Sequence, residues 1–204
     1  MSGRTTGVAN LHRIALAALL LGSLGGCLGL SGPKAPPALF RLASTSSAPV
    51  GASASGKPVD AVMVMEPETD KRLAVQRVPV QVSDVDVAYL KDAQWVERPS
   101  RLFRALLAEH LRAKGGRLVL EDDQPVPATG TRLGGKLLEM GYDARSMAVT
   151  VRYDALRTSR DGQVTSKRFE SVVNAGGAKA GSIGPALNKA ANDVAAQVAV
   201  WMGD

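Results

Sequence analysis

The stretch that most restricts the fold is SMAVTVRYDALRTSRDGQVTSKRFESVVN, residues 146–174. In its first half Met147, Val149, Val151, Tyr153 and Ala155 recur with period two, while Thr150, Arg152 and Asp154 fill the alternate positions. Successive strand side chains point to opposite faces, so this half predicts a strand with one apolar and one polar face. Asp161-Gly162 supplies a turn, and QVTSKRFESVVN returns as the antiparallel partner. A two-stranded ribbon is marginal by itself in water. Its apolar face needs a second layer.

Two helices can supply that layer. RLFRALLAEHLRAK follows Pro99-Ser100, with Ser100 read as the N-cap, and stops at Gly115-Gly116. Leu102, Phe103, Leu106, Leu107 and Leu111 form one stripe, and Arg101, Arg104, Glu109 and Arg112 lie away from its centre. The second helix follows the loop AGGAKAGSIG, with Pro185 in its first turn, and presents Leu187, Ala190, Ala191, Val194, Val198 and Trp201. Further strands are expected in VDAVMVME from Val59, in VPVQVSDVDVAYL, in RLVLE and in RLGGKLLEMGYD. Pro79 marks an edge or a bulge. Aromatic residues make up 4% of the chain, so Val, Leu, Ala and Met must build most of the core. The order of elements predicts an α+β two-layer sandwich, with a mixed, mostly antiparallel sheet and two helices on one face.

The N-terminal part reads differently. After the basic His12-Arg13 comes IALAALLLGSLGG, residues 14–26, which is apolar on every side and too short to span a bilayer as a helix. It ends at Cys27, the single cysteine of the chain. Leu24-Gly25-Gly26-Cys27 resembles the bacterial lipobox, with an aliphatic residue at −3 and small residues beside a sulfur that must reach a diacylglycerol donor. Residues 1–26 are therefore expected to be a lipoprotein signal peptide, and Cys27 the lipid attachment site. Residues 27–58, rich in Ser, Ala, Pro and Gly, read as an anchor and flexible tether reaching ~30 Å. Leu39-Phe40-Arg41-Leu42 is the stretch within them that reads as a short strand. The folded domain is expected over 59–204.

Chemistry finds little to stand on. A lone cysteine and the absence of a spaced Cys/His cluster speak against disulfide and metal sites, and no cofactor motif is found. The formal net charge of +6 is spread along the chain without interleaved aromatics, which speaks against nucleic-acid binding. His110 reads as a boundary residue on the first helix. Glu121, Asp122 and Asp123 could offer paired carboxylates, but their polar surroundings favour a solvated turn. Lys179 precedes Gly181-Ser182 without the Gly-Lys-Ser order of a phosphate loop. No catalytic residue is assigned, and an enzyme is not expected. Arg145, Arg152, Arg157, Arg160, Lys167 and Arg168 make the hairpin basic. They are either ordinary exposed charge or, for Arg152, Arg157, Arg160, Lys167 and Arg168, a contact for lipid headgroups or an acidic partner.

Anchor, tether and element order together resemble the ABC-type transport auxiliary lipoprotein family, which includes the paraquat-inducible C-type lipoproteins. The resemblance rests on VAYL, on QWVERPSRLFRALLAEHLRAKG, on the 146–170 hairpin and on the helix closing at Trp201. Tyr89-Leu90, Trp95 and Pro99 are similar to the family's Tyr-Leu … Trp … Pro arrangement, and Phe40-Arg41-Leu42 to its opening strand. The low-complexity stretch from about Ala43 to Pro58 departs from that pattern. The resemblance implies a non-enzymatic accessory role in moving phospholipid or other hydrophobic cargo between two membranes. Its implied partners are a permease, an ATPase and a mammalian-cell-entry domain subunit. Leu28 after the cysteine, in place of aspartate, implies the outer membrane, facing the periplasm. The alternative is a structural or envelope-assembly lipoprotein unconnected with lipid traffic, and homo-oligomerisation is left open.

Overall fold

In the computed structural model, which describes residues 38–124 and 130–203, the strands are β1 (Ala38–Phe40), β2 (Val62–Val64), β3 (Arg77–Gln81), β4 (Val87–Trp95), β5 (Val119–Glu121), β6 (Thr131–Asp143), β7 (Ala148–Thr158) and β8 (Val164–Asn174). The helices are α1 (Pro99–Lys114) and α2 (Ala180–Trp201). Cys27 and the apolar run before it lie outside the described residues.

The long strand β6 organises the sheet. One of its edges pairs with β7, and β7 pairs in turn with β8, each over eleven residue pairs in antiparallel register. The other edge is shared. β2 lies parallel along Thr131–Leu133, and β3 lies parallel at Tyr142 and Asp143. A single bridge between Glu68 and Lys136 occupies the gap. β5 extends the sheet beyond β2, β4 extends it beyond β3, and β1 runs parallel to β4. The parallel pairings are two or three residues long, so the antiparallel meander supplies most of the ladder. The architecture is the α+β sandwich expected, with both helices on one face.

That face is apolar because the alternation holds. Val149, Val151, Tyr153 and Ala155 are all buried, facing Phe103, Leu106 and Leu107 of α1 and Ile183, Leu187, Ala191 and Val194 of α2. Six of the eight aromatics sit in pairs. Phe103 meets Tyr153 edge-on at 5.3 Å, Phe40 meets Trp95 at 5.7 Å, and Phe169 meets Trp201 at 5.6 Å. The Tyr153 hydroxyl donates to Gly134 O, and burial pushes its pKa above the ordinary phenol value. Alanines on α2 let its backbone approach closely, which is how so few aromatics fill the interior.

Several local expectations are corrected. VPVQVSDVDVAYL is not one strand but the β3–β4 hairpin, closed by Ser83 and Asp86, whose side chains hydrogen-bond at 2.7 Å. Pro79, by contrast, sits as expected at a bulge, where the register shifts between β3 and β4 inside the sheet. Arg98, not Ser100, is the N-cap of α1, and Pro99 takes the first helical position, where its missing N–H costs nothing. Helix α2 begins at Ala180, so Pro185 lies inside it. Met147 stands in the turn before β7, at φ 53° and half exposed, and contributes nothing to the apolar face.

Candidate functional site

Residues 38–48 lie within the stretch read as tether, yet they hold the domain. β1 lays Phe40 over Trp95, which is fully buried and whose indole N–H has no partner among the described residues. A Cβ on Gly184 would come within 2.9 Å of the Phe40 ring, so α2 needs glycine where β1 crosses it. The chain then crosses α2 and reaches α1. Asn188 Oδ1 accepts from Ala43 N–H at 2.8 Å, and Glu109 accepts from Ala48 N–H at 3.0 Å.

Asn192 is the centre of this strap. Its Oδ1 accepts from the Thr45 backbone N–H at 2.8 Å and from the Thr45 hydroxyl at 3.0 Å. Its Nδ2 donates to Ala43 O and Asn188 O. His110 Nε2 lies 2.9 Å from the same Oδ1. An amide oxygen can only accept, so the His110 proton sits on Nε2. His110 is 4% exposed, buried between the helices rather than at their boundary as expected. The signal for this node was an asparagine set among the alanines of an apolar stripe.

Glu121, Asp122 and Asp123 form a clasp, not a solvated turn. Arg104 reaches Glu121 at 3.2 Å through Nε, Asp122 through Nη1 and Asp123 at 2.6 Å through Nη2. Burial works against the Arg104 charge, but the hydrogen bond to Asp122 and the neighbouring carboxylates outweigh it and raise its pKa. Arg112 takes the other Glu121 oxygen at 3.0 Å, and Asp122 accepts from the Glu66 backbone N–H at 2.7 Å. The carboxylates thus tie α1 to β5 and to the end of β2. Among the described residues no group of three or more His, Cys, Asp or Glu side chains could hold a metal ion.

The sheet face turned away from the helices holds a cleft of about 300 Å³ floored by Gly141 and Thr150. Arg72, Arg145 and Arg152 wall it, each already paired: Arg72 with Glu139 at 3.1 Å, Arg145 with Asp84 at 2.7 Å, and Arg152 with Glu170. Arg72 carried no signal in the sequence reading, because its loop has no periodicity.

The five cations of the hairpin are not brought onto one surface. Arg152 and Arg168 share the open face, where Arg168 grips both oxygens of Asp154 at 2.6 and 2.7 Å. That grip holds the Asp154 carboxyl below its ordinary pKa. Arg157 points to the helix side, with its guanidinium 4.9 Å from the centre of the Trp201 ring and Nη1 donating to Trp201 O at 3.1 Å. It caps the end of α2. Lys167 lies 5.2 Å from the Phe169 ring centre, and Arg160 meets Asp60 in the turn at 3.4 Å.

With this geometry in hand, known proteins place the chain. Residues 40–199 match the model of the ABC-type transport auxiliary lipoprotein component. The chain belongs to this family. The match opens at Phe40, where β1 ends, so the strap from Phe40 onward lies within the matched span. Two crystal structures share the fold. An uncharacterized protein is 15% identical with a TM-score of 0.64, over 82% of this chain and 99% of its own. A Xanthomonas campestris protein of family DUF330 is 13% identical with a TM-score of 0.62, over 82% and 92%. PelC from Paraburkholderia phytofirmans, solved as a dodecamer, overlaps more loosely, at 16% identity and a TM-score of 0.40 over 72% and 91%. No curated protein matches the sequence. In this auxiliary lipoprotein three of the residues that carried the resemblance gather at one corner: Phe40 on Trp95, Trp95 at the end of β4, and Pro99 opening α1. Tyr89 lies on the same strand under the Arg77 guanidinium, 4.2 Å from its ring centre.

Proposed function

We propose that this auxiliary lipoprotein is held to the outer membrane, on the periplasmic side, by fatty chains on Cys27. There it serves as a non-enzymatic docking component of an ABC-type system that moves phospholipid or other hydrophobic cargo between the two membranes. The observation that carries the reading is the family match over residues 40–199, joined to the Leu24-Gly25-Gly26-Cys27 lipobox upstream of it. Each buried methylene contributes about 0.8 kcal/mol, and one acyl chain gives only reversible binding, so two or three chains on Cys27 make attachment lasting. Any energy for transport comes from a partner ATPase, since the chain carries no phosphate-loop motif.

Two experiments test it. Tagged protein captured in mild detergent brings down a permease or a mammalian-cell-entry subunit. Capture of neither removes the transport reading and favours an envelope-assembly role. Cys27→Ser yields an uncleaved precursor or a soluble domain, whereas a processed variant retained on membranes as fully as wild type contradicts the anchor.

A further inference from the structure

We propose that the outer edge of β8 pairs with the same edge of a second copy of this chain, in antiparallel register centred on Phe169. The proposal stands independently of the anchor and of the transported cargo. β8 is eleven residues long and pairs with β7 alone among the described residues, so its other edge offers a full row of backbone groups. Which residues face outward follows from the hydrogen bonds at the two ends of the hairpin. Ser159 N–H donates to Gln163 O at 2.8 Å, and Ala175 N–H donates to Met147 O at 2.9 Å. Alternate residues of an antiparallel pair turn both backbone groups to the same neighbour. Odd-numbered residues of β8 therefore face β7. Even-numbered ones, from Val164 to Asn174, turn N–H and C=O outward and carry their side chains on the open face.

A two-fold pairing of this edge can be centred on several residues, and the charges separate them. Centred on Arg168, the pairing sets two arginines against each other, and centred on Glu170, two glutamates. Centred on Phe169, it sets Arg168 opposite Glu170 of the second copy, twice. That same centre is the midpoint of β8, so Val164 meets Asn174 and the whole strand pairs, with about twelve backbone hydrogen bonds.

The register also continues a pattern already built into each protomer. Lys136 stands opposite Asp154, Asp154 opposite Arg168, Glu170 opposite Arg152, and Arg152 opposite Glu139. Joined at β8, these make one row across both sheets: Lys136, Asp154, Arg168, then Glu170, Arg152 and Glu139 of the second copy. The signs alternate at every step. On the helix side Lys167 falls opposite Ser171 of the second copy, whose hydroxyl donates to Asp193 at 3.0 Å, so an ammonium approaches a carboxylate there too. The groove of about 310 Å³ between β8 and the end of α2, where Val200 is 54% exposed, opens along the same edge. The contact is isologous, the same patch on both copies, and closes as a dimer.

The test uses the full chain in detergent micelles, read by analytical ultracentrifugation. Wild type dimerises. Arg168→Glu alone and Glu170→Arg alone each set like charges opposite one another at two places and weaken association by about tenfold or more. Mixed in equal amounts, the two variants recover the dimer, because position 168 of each chain again meets the opposite sign at position 170 of the other. Both side chains are exposed, and melting curves confirm that each variant is folded. Ser166 and Val172 of the second copy become direct partners about 5.5 Å apart at Cα, within disulfide reach. A Ser166→Cys chain and a Val172→Cys chain, oxidised together, give the mixed dimer well above the background of wild type and of either chain alone. A monomeric wild type, single reversals that associate like wild type, a mixture that restores nothing, or Ser166→Cys chains that link to one another as readily as to Val172→Cys would each overturn the proposal.

Discussion

A single amide carries more of this domain than its size suggests. Asn192 satisfies groups from the strap, from α1 and from its own helix, and it is 3% exposed. Removing one partner from a buried network leaves the others unsatisfied, at about 1–3 kcal/mol each. Asn192→Ala should therefore cost about 2–3 kcal/mol in urea titrations and should expose residues 41–57 to proteases before the rest of the domain opens. A second comparison separates buried from exposed charge. The Arg104 side chain is 10% exposed, whereas that of Arg152 is 37% exposed. Arg104→Met should cost about 2 kcal/mol, between the surface and the buried limits, and Arg152→Met less than about 1. Equal losses in the two would show that the acidic clasp adds nothing beyond ordinary surface pairing. Asp154 gives a pH signature. Its hydrogen bond from Arg168 lowers its pKa below the ordinary 3.8. A lowered carboxyl pKa stabilises the fold above the unfolded value, and the gain is lost as pH falls through the folded one. The melting gap between wild type and Asp154→Asn should be small at pH 7 and should close below pH 3.8.

At the scale of elements, backbone geometry decides where the meander tolerates change. Gly135 has φ +126°, and a Cβ there would stand 2.0 Å from Asp154 O on the neighbouring strand. Gly162, in the β7–β8 turn, also has positive φ but meets nothing within 4 Å. Gly135→Ala should cost about 3 kcal/mol, strain and collision together, and Gly162→Ala about 1. Thermal unfolding of the pair distinguishes close approach from conformational freedom. The same contrast explains what could be read in advance. The 146–174 hairpin was legible because its period-two pattern runs unbroken to an Asp-Gly turn. The β3–β4 hairpin was not, because its turn holds no glycine and the only trace of it is a single shift of phase, from Val78, Val80 and Val82 to Val85 and Val87. The first turns of α2 hid behind Gly181 and Gly184, poor helix formers tolerated because Gly184 must pass beneath Phe40. Contacts between Arg104 and the acidic run, or between His110 and Asn192, depend on how α1 meets its neighbours. No local pattern in the chain encodes them.

For the molecule as a whole, the question is where the domain begins. Composition places the start at Val59, since a run of Ser, Ala, Gly and Pro cannot bury enough apolar surface to offset its ordering entropy. Residues 38–48 escape that argument by borrowing surface. β1 covers Trp95 with one phenylalanine ring, and the strap that follows uses side-chain amides on α2 in place of a neighbouring strand. Two chains differing in their first residue separate these views. One starting at Ala38 retains the ring and the hydrogen bonds; one starting at Val59 uncovers Trp95 and leaves Asn192 and His110 with each other. Phe40 is half-buried, so losing its ring costs less than the roughly 3–5 kcal/mol of a fully buried phenylalanine. The shorter chain should unfold at a lower urea midpoint by a corresponding amount, with Trp95 emission shifted to the red before denaturant is added. Identical midpoints would make β1 and the strap passengers on the sandwich. A large difference would mean that whatever pulls on the N-terminal side of residue 38 pulls directly on the seam between α1 and α2.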